Sequence, residues 1–187
     1  MKTEINSDNI KEDIEIIEEV LKGDVEKFET LVLKYQTMIF RFVLKHIYDI
    51  DAAEELTQEV FLASFKCLNA YKKNSKFSSW LFGISVNIIR NYINRDLKKK
   101  RKCVSIDSLV KSPYAENKIL ENIADKYECK KCIKAIKNLP EDLREVCVLV
   151  ALEEKSYIET GEILKLPVGT IKSRMFRARQ KLKDTLS

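Results

Sequence analysis

Apolar residues recur at three- and four-residue steps through most of the chain, and that period predicts helices almost throughout. Ile10, Ile14, Ile17 and Leu21 mark a first amphipathic helix over residues 9–22, stopped by Gly23. A second, capped by Asp24 and ending near Tyr48, carries Phe28, Leu31, Val32, Tyr35, Ile39, Phe42 and Val43 on one broad face. A third runs over residues 52–71 behind Asp49 or Asp51 as its cap, with Ala53, Leu56, Val60 and Ala63 turned inward. After the polar loop 72–76, Ser78 or Ser79 is placed to cap a long helix reaching Lys102, with Trp80, Leu81, Ile84, Ile88 and Tyr92 in period. The period then fades over residues 103–126, where Ser105, Ser108, Ser112 and Pro113 read as a linker. It returns with Cys132, Ile133 and Ile136, with Val146 to Leu152, and with a short helix capped by Ser156 and ending at Leu164. Lys165-Leu166-Pro167 then turns into a last helix striped by Ile171, Met175, Ala178 and Leu182. A short helix, a three-residue turn and a longer helix make a helix-turn-helix. The expectation is an all-α chain: an arm at 1–8, a helical bundle at 9–102, the linker at 103–126 and a second small domain at 127–187.

Composition supports the helices. Only four Gly and three Pro occur in 187 residues, of which 45% are hydrophobic and 34% charged. The net charge of +5 is unevenly spread. Residues 1–26 hold nine acidic and three basic side chains, whereas residues 90–102 hold seven basic and one acidic. In the last helix Lys172, Arg174, Arg177, Arg179, Lys181 and Lys183 meet no acidic residue before Asp184. A helix that buries one stripe and shows only cations elsewhere suits the major groove of DNA, where guanidinium groups bond guanine edges and ammonium groups meet phosphates. The plainer alternative is a solvated basic face.

Two further stretches carry binding chemistry. On the third helix Glu54, Glu55, Gln58, Phe61, Leu62 and Phe65 join carboxylates to an apolar strip, which is either a protein-docking surface or a broad core face with an acidic edge. On the long helix Trp80 is interleaved with Asn87, Arg90, Asn91 and Arg95, the mixture of ring, amide and cation that unpaired bases require. Taken by itself, Trp80 fits a core position better, since aromatics at helical spacing more often pack inside.

Enzymatic constellations are missing from the pattern. His46, the only histidine, has no evident nucleophile beside it and is expected partly exposed on a helix; no glycine-rich phosphate loop occurs. Cys129 and Cys132 have metal-like spacing without a second pair, so no metal and no cofactor are expected. Five cysteines at irregular spacing fit reduced thiols in a cytoplasm. The acidic start is unlike a signal peptide, and no apolar run approaches a membrane span.

Three blocks together resemble the extracytoplasmic-function sigma factors, two-domain initiation subunits of bacterial RNA polymerase. The stretch from Asp51 to Phe61 is similar to the segment that docks on the clamp coiled coil of the polymerase largest subunit. Phe77 to Ile84, through Asn87 and Arg95, is similar to the segment that melts and reads the −10 element. Leu139-Pro140 through Arg179 is similar to the −35 reader, with Pro167-Val168-Gly169-Thr170-Ile171-Lys172-Ser173-Arg174 its most specific string.

The resemblance implies a non-enzymatic, monomeric promoter-specificity subunit. It implies core polymerase binding by Asp51, Glu54, Glu55, Gln58, Glu59 and Phe61. It implies capture of −10 bases by Lys73, Asn74, Ser75, Lys76, Phe77, Ser78, Trp80, Asn87, Arg90, Asn91 and Arg95. For −35 DNA it implies Thr170, Lys172, Ser173, Arg174, Arg177, Arg179 and Lys181. Polymerase core (its clamp coiled coil and flap), promoter DNA and an anti-sigma factor are the implied partners. The rival readings are a stand-alone helix-turn-helix regulator and a thiol or metal sensor built on Cys129 and Cys132. Four positions depart from the family pattern. Gly83 stands where relatives carry a large, often basic residue, Asn91 where many carry Asp, Gly161 where Ala is usual and Lys165 where the turn usually has Gly. Gly161 is expected to cost about 1 kcal/mol against Ala inside a helix, and Lys165 to take a positive φ.

Overall fold

The computed structural model describes residues 4–103 and 127–186, with side chains over 10–95 and 131–186. Its elements are α1 (Glu4–Leu21), α2 (Phe28–Ile47), α3 (Ile50–Lys66), α4 (Phe77–Cys103), α5 (Tyr127–Lys137), α6 (Glu141–Cys147), α7 (Tyr157–Leu164) and α8 (Val168–Leu186). Short 3₁₀ turns at Val25–Lys27 and Leu68–Ala70 close the ends of α1 and α3, and α6 runs on into a π turn at Val148–Leu152. The expected linker falls almost wholly outside the described residues, as do positions 1–3 of the expected arm; α1 already begins at Glu4.

Helices α1 to α4 bundle around Ile17, Leu31, Ile39, Phe42, Val43, Leu56, Phe82 and Ile89, all essentially sealed from solvent. Phe42 meets Phe82 edge to face with ring centres 4.7 Å apart, the geometry that suits the opposed charge of ring face and ring edge. Asp13 is buried on α1, a position that costs free energy unless its charge is matched. Lys34 Nζ lies 2.7 Å away and the Tyr35 hydroxyl donates to the other carboxylate oxygen, so α2 supplies both partners. Asp49 caps α3 by accepting from the Ala52 amide at 2.9 Å.

Two other caps form differently from expectation. Asp24 makes no side-chain cap and precedes a 3₁₀ turn. Helix α4 starts at Phe77, with the Lys76 carbonyl accepting from the Ser79 and Trp80 amides, so Ser78 and Ser79 lie inside its first turn.

In the second half α8 buries Ile171, Met175 and Ala178 against α5, α6 and α7. Ser156 and Glu159 form a full capping box at the start of α7, each side chain bonding the other's backbone amide at 3.1 Å. At its end Lys165 takes the left-handed conformation, φ 55 and ψ 47, as its place in the turn suggested. Lys165→Gly removes the Cβ penalty of that conformation and is expected to stabilise the domain by about 1 kcal/mol, read from the urea midpoint.

Gly161 reverses its sequence expectation. The Leu166 amide donates to the Gly161 carbonyl at 2.9 Å, and this closeness would set a Cβ on Gly161 only 2.8 Å from the Leu166 carbonyl oxygen. The residue is a requirement of the turn. Gly161→Ala is therefore expected to cost about 1–2 kcal/mol through forced backbone movement, despite alanine's better helix propensity. A raised urea midpoint in that variant would contradict the steric account.

The second half packs onto the first. Arg90 of α4 makes two hydrogen bonds to the Glu145 carboxylate of α6, both 2.7 Å, with Glu145 only 3% exposed. Lys45 meets Glu153 at 2.6 Å, Lys155 lies over the Phe82 ring at 5.1 Å, and Lys137 over Tyr48 at 4.9 Å. His46 belongs to this seam and is buried rather than partly exposed. Its Nδ1 donates to the Phe42 carbonyl at 2.8 Å, while its own carbonyl accepts from Arg144 at 3.5 Å.

Candidate functional site

Three surfaces gather the residues singled out in the sequence. The first is an open apolar groove of about 910 Å³ between α2 and α3. Phe28, Val32 and Phe61 line its walls, and Gln58, Leu62 and Phe65 reach it from α3. The helical period explains the assembly: positions 58, 61, 62 and 65 share one face of α3. Leu62 is 62% and Phe65 40% exposed, large apolar side chains that a folded chain ordinarily covers. Phe65 leans edge-on against Phe28 with centroids 5.1 Å apart, which holds it upright.

Of the residues expected to dock a protein, Gln58 and Phe61 line this groove, and Asp51, Glu54, Glu55 and Glu59 stand exposed along α3 outside its lining. Phe61 is nearly buried, so its contribution is to shape the groove rather than to offer a protruding ring. Val25, Phe28 and Val32 were missed as groove residues, because only the packing of α2 on α3 brings them there.

The second surface is the start of α4 with the loop before it. Tyr71, Phe77 and Trp80 cluster with ring centroids about 5.5 Å apart. Phe77 is 1% exposed, so its ring belongs to the core and cannot stack on a base in this arrangement, contrary to expectation. Its ring neighbours are the half-buried Tyr35 and the buried Tyr71, and it supports Trp80 from behind. Trp80 itself is half-buried and edges a cavity of about 170 Å³ with Ser75, Asn87 and Gly83; Glu162, Ile163 and Lys165 of the second half close the other side. The Tyr71 hydroxyl donates to the Ser75 carbonyl at 2.5 Å and Lys73 pairs with Glu18 at 2.5 Å, so two contacts shape the loop. Asn74 and Asn91 are exposed, and Lys76 and Ser78 half-exposed. Arg95 lies 3.9 Å from Glu59, on the outer side of α4. Arg90 differs from Lys73 and Arg95 in that its carboxylate partner, Glu145, is buried.

The third surface is the outer face of α8. Lys172, Arg177, Arg179 and Lys181 project into solvent, opposite the Ile171, Met175 and Ala178 stripe. Thr170 sits in the first turn, and its carbonyl accepts from Ser173 Oγ at 2.9 Å. Arg174 is drawn inward, its Nε 3.6 Å from Asp142, so it braces α8 on α6 as well as facing outward. Phe176 is 63% exposed among these cations, an apolar contact point that cation counting overlooked. Exposed guanidinium and ammonium groups on a helix whose other face is buried can neutralise phosphates and reach base edges.

Among the described residues no group of three His, Cys, Asp or Glu side chains could hold a metal ion. Among the same residues no helix is long and apolar enough to cross a membrane.

Two family models match the chain: Sigma-70 region 2 over residues 31–99 and Sigma-70 region 4 over residues 131–182. The chain is 30% identical over 187 residues to the RNA polymerase sigma-H factor of Pseudomonas aeruginosa, covering 94% of each protein. It is 31% identical over 172 residues to the ECF RNA polymerase sigma-E factor of Escherichia coli, covering 88% of this chain and 89% of that one. Among solved structures it resembles the sigma factor RpoE of Bartonella quintana, determined in complex with the anti-sigma factor NepR. The TM-score is 0.62 at 25% identity, over 86% of this chain and 97% of that one. CnrH, solved with the cytosolic domain of CnrY, shares the fold with a TM-score of 0.66 at 21% identity, over 91% and 94% of the two chains.

Proposed function

Because this chain belongs to the sigma-70 family, as an alternative sigma factor of the extracytoplasmic-function type, we propose that its three surfaces divide the work of promoter recognition among them. The protein is a non-enzymatic factor that directs transcription initiation, and family membership removes the stand-alone regulator as a reading. The α2–α3 groove, with the acidic margin of Asp51, Glu54, Glu55 and Glu59, docks core RNA polymerase in the cytoplasm. The observation that supports this most directly is Leu62 and Phe65 standing exposed beside Gln58, an apolar pair ringed by charge.

The second surface captures unpaired −10 bases. Trp80 supplies a flat ring, and Asn74, Asn87 and Asn91 supply donors and acceptors for base edges. Opening duplex DNA costs a few kcal/mol per unstacked base. A pocket that accepts only an extruded base offsets that cost, so reading the sequence and opening the strands become one event. Phe77 contributes as the support of Trp80.

The outer face of α8 enters the −35 major groove. Lys172 and Arg177 reach base edges, Arg179 and Lys181 meet phosphate, Thr170 meets phosphate at the helix N-terminus, and Ser173 with Arg174 fixes the approach of the helix. Arg177→Ala is expected to weaken −35 duplex binding by about 1–3 kcal/mol and to relax preference at one base pair. Titrating labelled duplexes that differ at single positions would show it, and an unchanged profile would remove Arg177 from base reading. An anti-sigma factor, of the kind seated on the Bartonella relative, is the natural competitor for the groove.

The whole reading is tested by adding the protein to sigma-free core polymerase on sheared genomic DNA and mapping RNA 5′ ends. Discrete starts preceded by two shared motifs are expected. Random or absent starts, with polymerase that is active on a control factor, would overturn it.

A further inference from the structure

The loop between α3 and α4 is held from two directions that its own spacing does not announce. Tyr71, at its root, is buried, with its ring 5.4 Å from that of Trp80 and 5.5 Å from that of Phe77. Its hydroxyl reaches over the loop and donates to the Ser75 carbonyl at 2.5 Å. Tyr71 so ties the loop to the ring that the −10 reading sets against a base, and Ser75 and Trp80 edge the same cavity. The second hold comes from α1. Its Glu18 carboxylate accepts from Lys73 Nζ at 2.5 Å, and α1 packs on the 3₁₀ turn Leu68–Ala70 from which the loop springs. Lys73 keeps the left-handed conformation, φ 59, which a residue with a Cβ holds only where its surroundings enforce it. Helix α1 is itself fixed, since the buried Asp13 carboxylate accepts from Lys34 and from the Tyr35 hydroxyl, and the Tyr35 ring meets Phe77 at 5.6 Å.

We infer that Tyr71 and Glu18 are positioning residues of the −10 surface, which set the shape of the loop 72–76 before a strand arrives; the inference rests on the −10 reading proposed above. The two contacts differ in kind. The Tyr71 hydroxyl belongs to a buried residue and fixes where Ser75, with Asn74 and Lys76 on either side, stands relative to Trp80. The Lys73–Glu18 pair is half-exposed, and such pairs add little stability. Its consequence is directional: the Lys73 ammonium is turned to α1 and serves as a strut rather than as a free cation for phosphate. A loop already in shape loses less conformational freedom when a base enters, so more of the contact energy appears as binding. Geometry, not charge, is what these residues supply, and base discrimination is where it shows. The sign of the Glu18 effect is diagnostic. Were Glu18 only a surface charge, its removal would strengthen binding of any strand, by relieving repulsion and releasing Lys73. As a positioning residue, its removal weakens discrimination instead.

The test uses the full chain bound to core polymerase and a single-stranded DNA library with a short random window. The wild type is expected to enrich one motif, and single-base variants of that motif then serve as titration probes. Tyr71→Phe deletes only the hydroxyl and is expected to bind the enriched strand about fivefold more weakly, the worth of one hydrogen bond. Its loss of discrimination is expected at one or two positions of the motif rather than evenly along it. Glu18→Ala, on an exposed site that the fold tolerates, is expected to lower discrimination at the same positions by about twofold. Co-elution with polymerase and binding of duplex DNA through α8 are expected to stay unchanged in both variants. Full discrimination retained by either variant would remove that residue from the role, and tighter, unselective binding by Glu18→Ala would do the same for Glu18. A loss shared equally by duplex binding and co-elution would reduce Tyr71 to a support of the fold and overturn its part. A wild type that enriches no motif would remove the −10 reading itself, and the inference with it, so the two failures are told apart.

Discussion

Leu62→Asp combined with Phe65→Asp is expected to abolish co-elution with core RNA polymerase, a loss of more than about a hundredfold, or about 3 kcal/mol. Leu62 is mostly exposed and Phe65 gives up only its partial burial against Phe28, so the fold is expected to tolerate both changes at a modest cost. Their value lies in what covers them. Two apolar anchors in a groove walled by Phe28 and Phe61 lose their hydration when a partner helix arrives, and two carboxylates there would be buried without partners. Glu55→Lys with Gln58→Lys probes the charged margin and is expected to act in the same direction. Unaltered circular dichroism with lost co-elution supports the groove as the docking surface; retained co-elution of the Leu62 and Phe65 variant would exclude it.

The second large effect is on stability and comes from His46. Burial, aided by nearby Arg144 and Lys45, holds its pKa down from 6.5 to about 4, against the opposing bond to the Phe42 carbonyl. The unfolded chain binds this proton more readily than the folded one. The neutral ring's contribution is therefore fully present above 6.5 and is lost as pH falls through 6.5 towards 4. For these two values the loss is about 2 kcal/mol between about pH 7.5 and about pH 5, growing to about 3 kcal/mol at lower pH. Urea unfolding of the wild type and of His46→Leu at the two pH values isolates it, since the remaining carboxylates titrate in both. The wild type should lose about 2 kcal/mol more than the variant over that interval. Equal losses would mean that His46 does not stay neutral and buried.

Local rules carried much of the architecture. The Ser156 cap with Glu159 three residues on, the Asp49 cap and the Ile171–Met175–Ala178 stripe each follow from contacts within one or two turns, and sequence spacing states such contacts directly. The exposed strips of α3 and α8 were likewise visible, as runs of charge beside a helical apolar period. What could not be read there depends on chain segments far apart. His46 looks like a polar surface residue until Arg144, 98 positions later, is laid against it. Arg90 looks like one more cation of a basic block until Glu145 arrives from 55 positions away. Phe77 resembles a base-stacking ring because spacing says nothing of Tyr35 and Tyr71 enclosing it. Gly161 resembles a weak helix position because propensity ignores the returning backbone at Leu166. In each case an intra-element preference was overridden by a tertiary neighbour.

The pairing of Arg90 with Glu145 also decides how ionic strength should act on this protein. On the proposed reading added salt weakens the contact of α8 with DNA, since each phosphate met by Lys172, Arg177, Arg179 or Lys181 would displace roughly one condensed counterion. The same salt screens the seam far less, because the Glu153 and Glu145 carboxylates are only 13% and 3% exposed beneath their cations. Salt should therefore strip the duplex from α8 well before it loosens the packing between the two halves. Duplex binding by the free chain should then fall with salt as steeply as its phosphate contacts dictate, because the outer face of α8 is exposed in the packed arrangement.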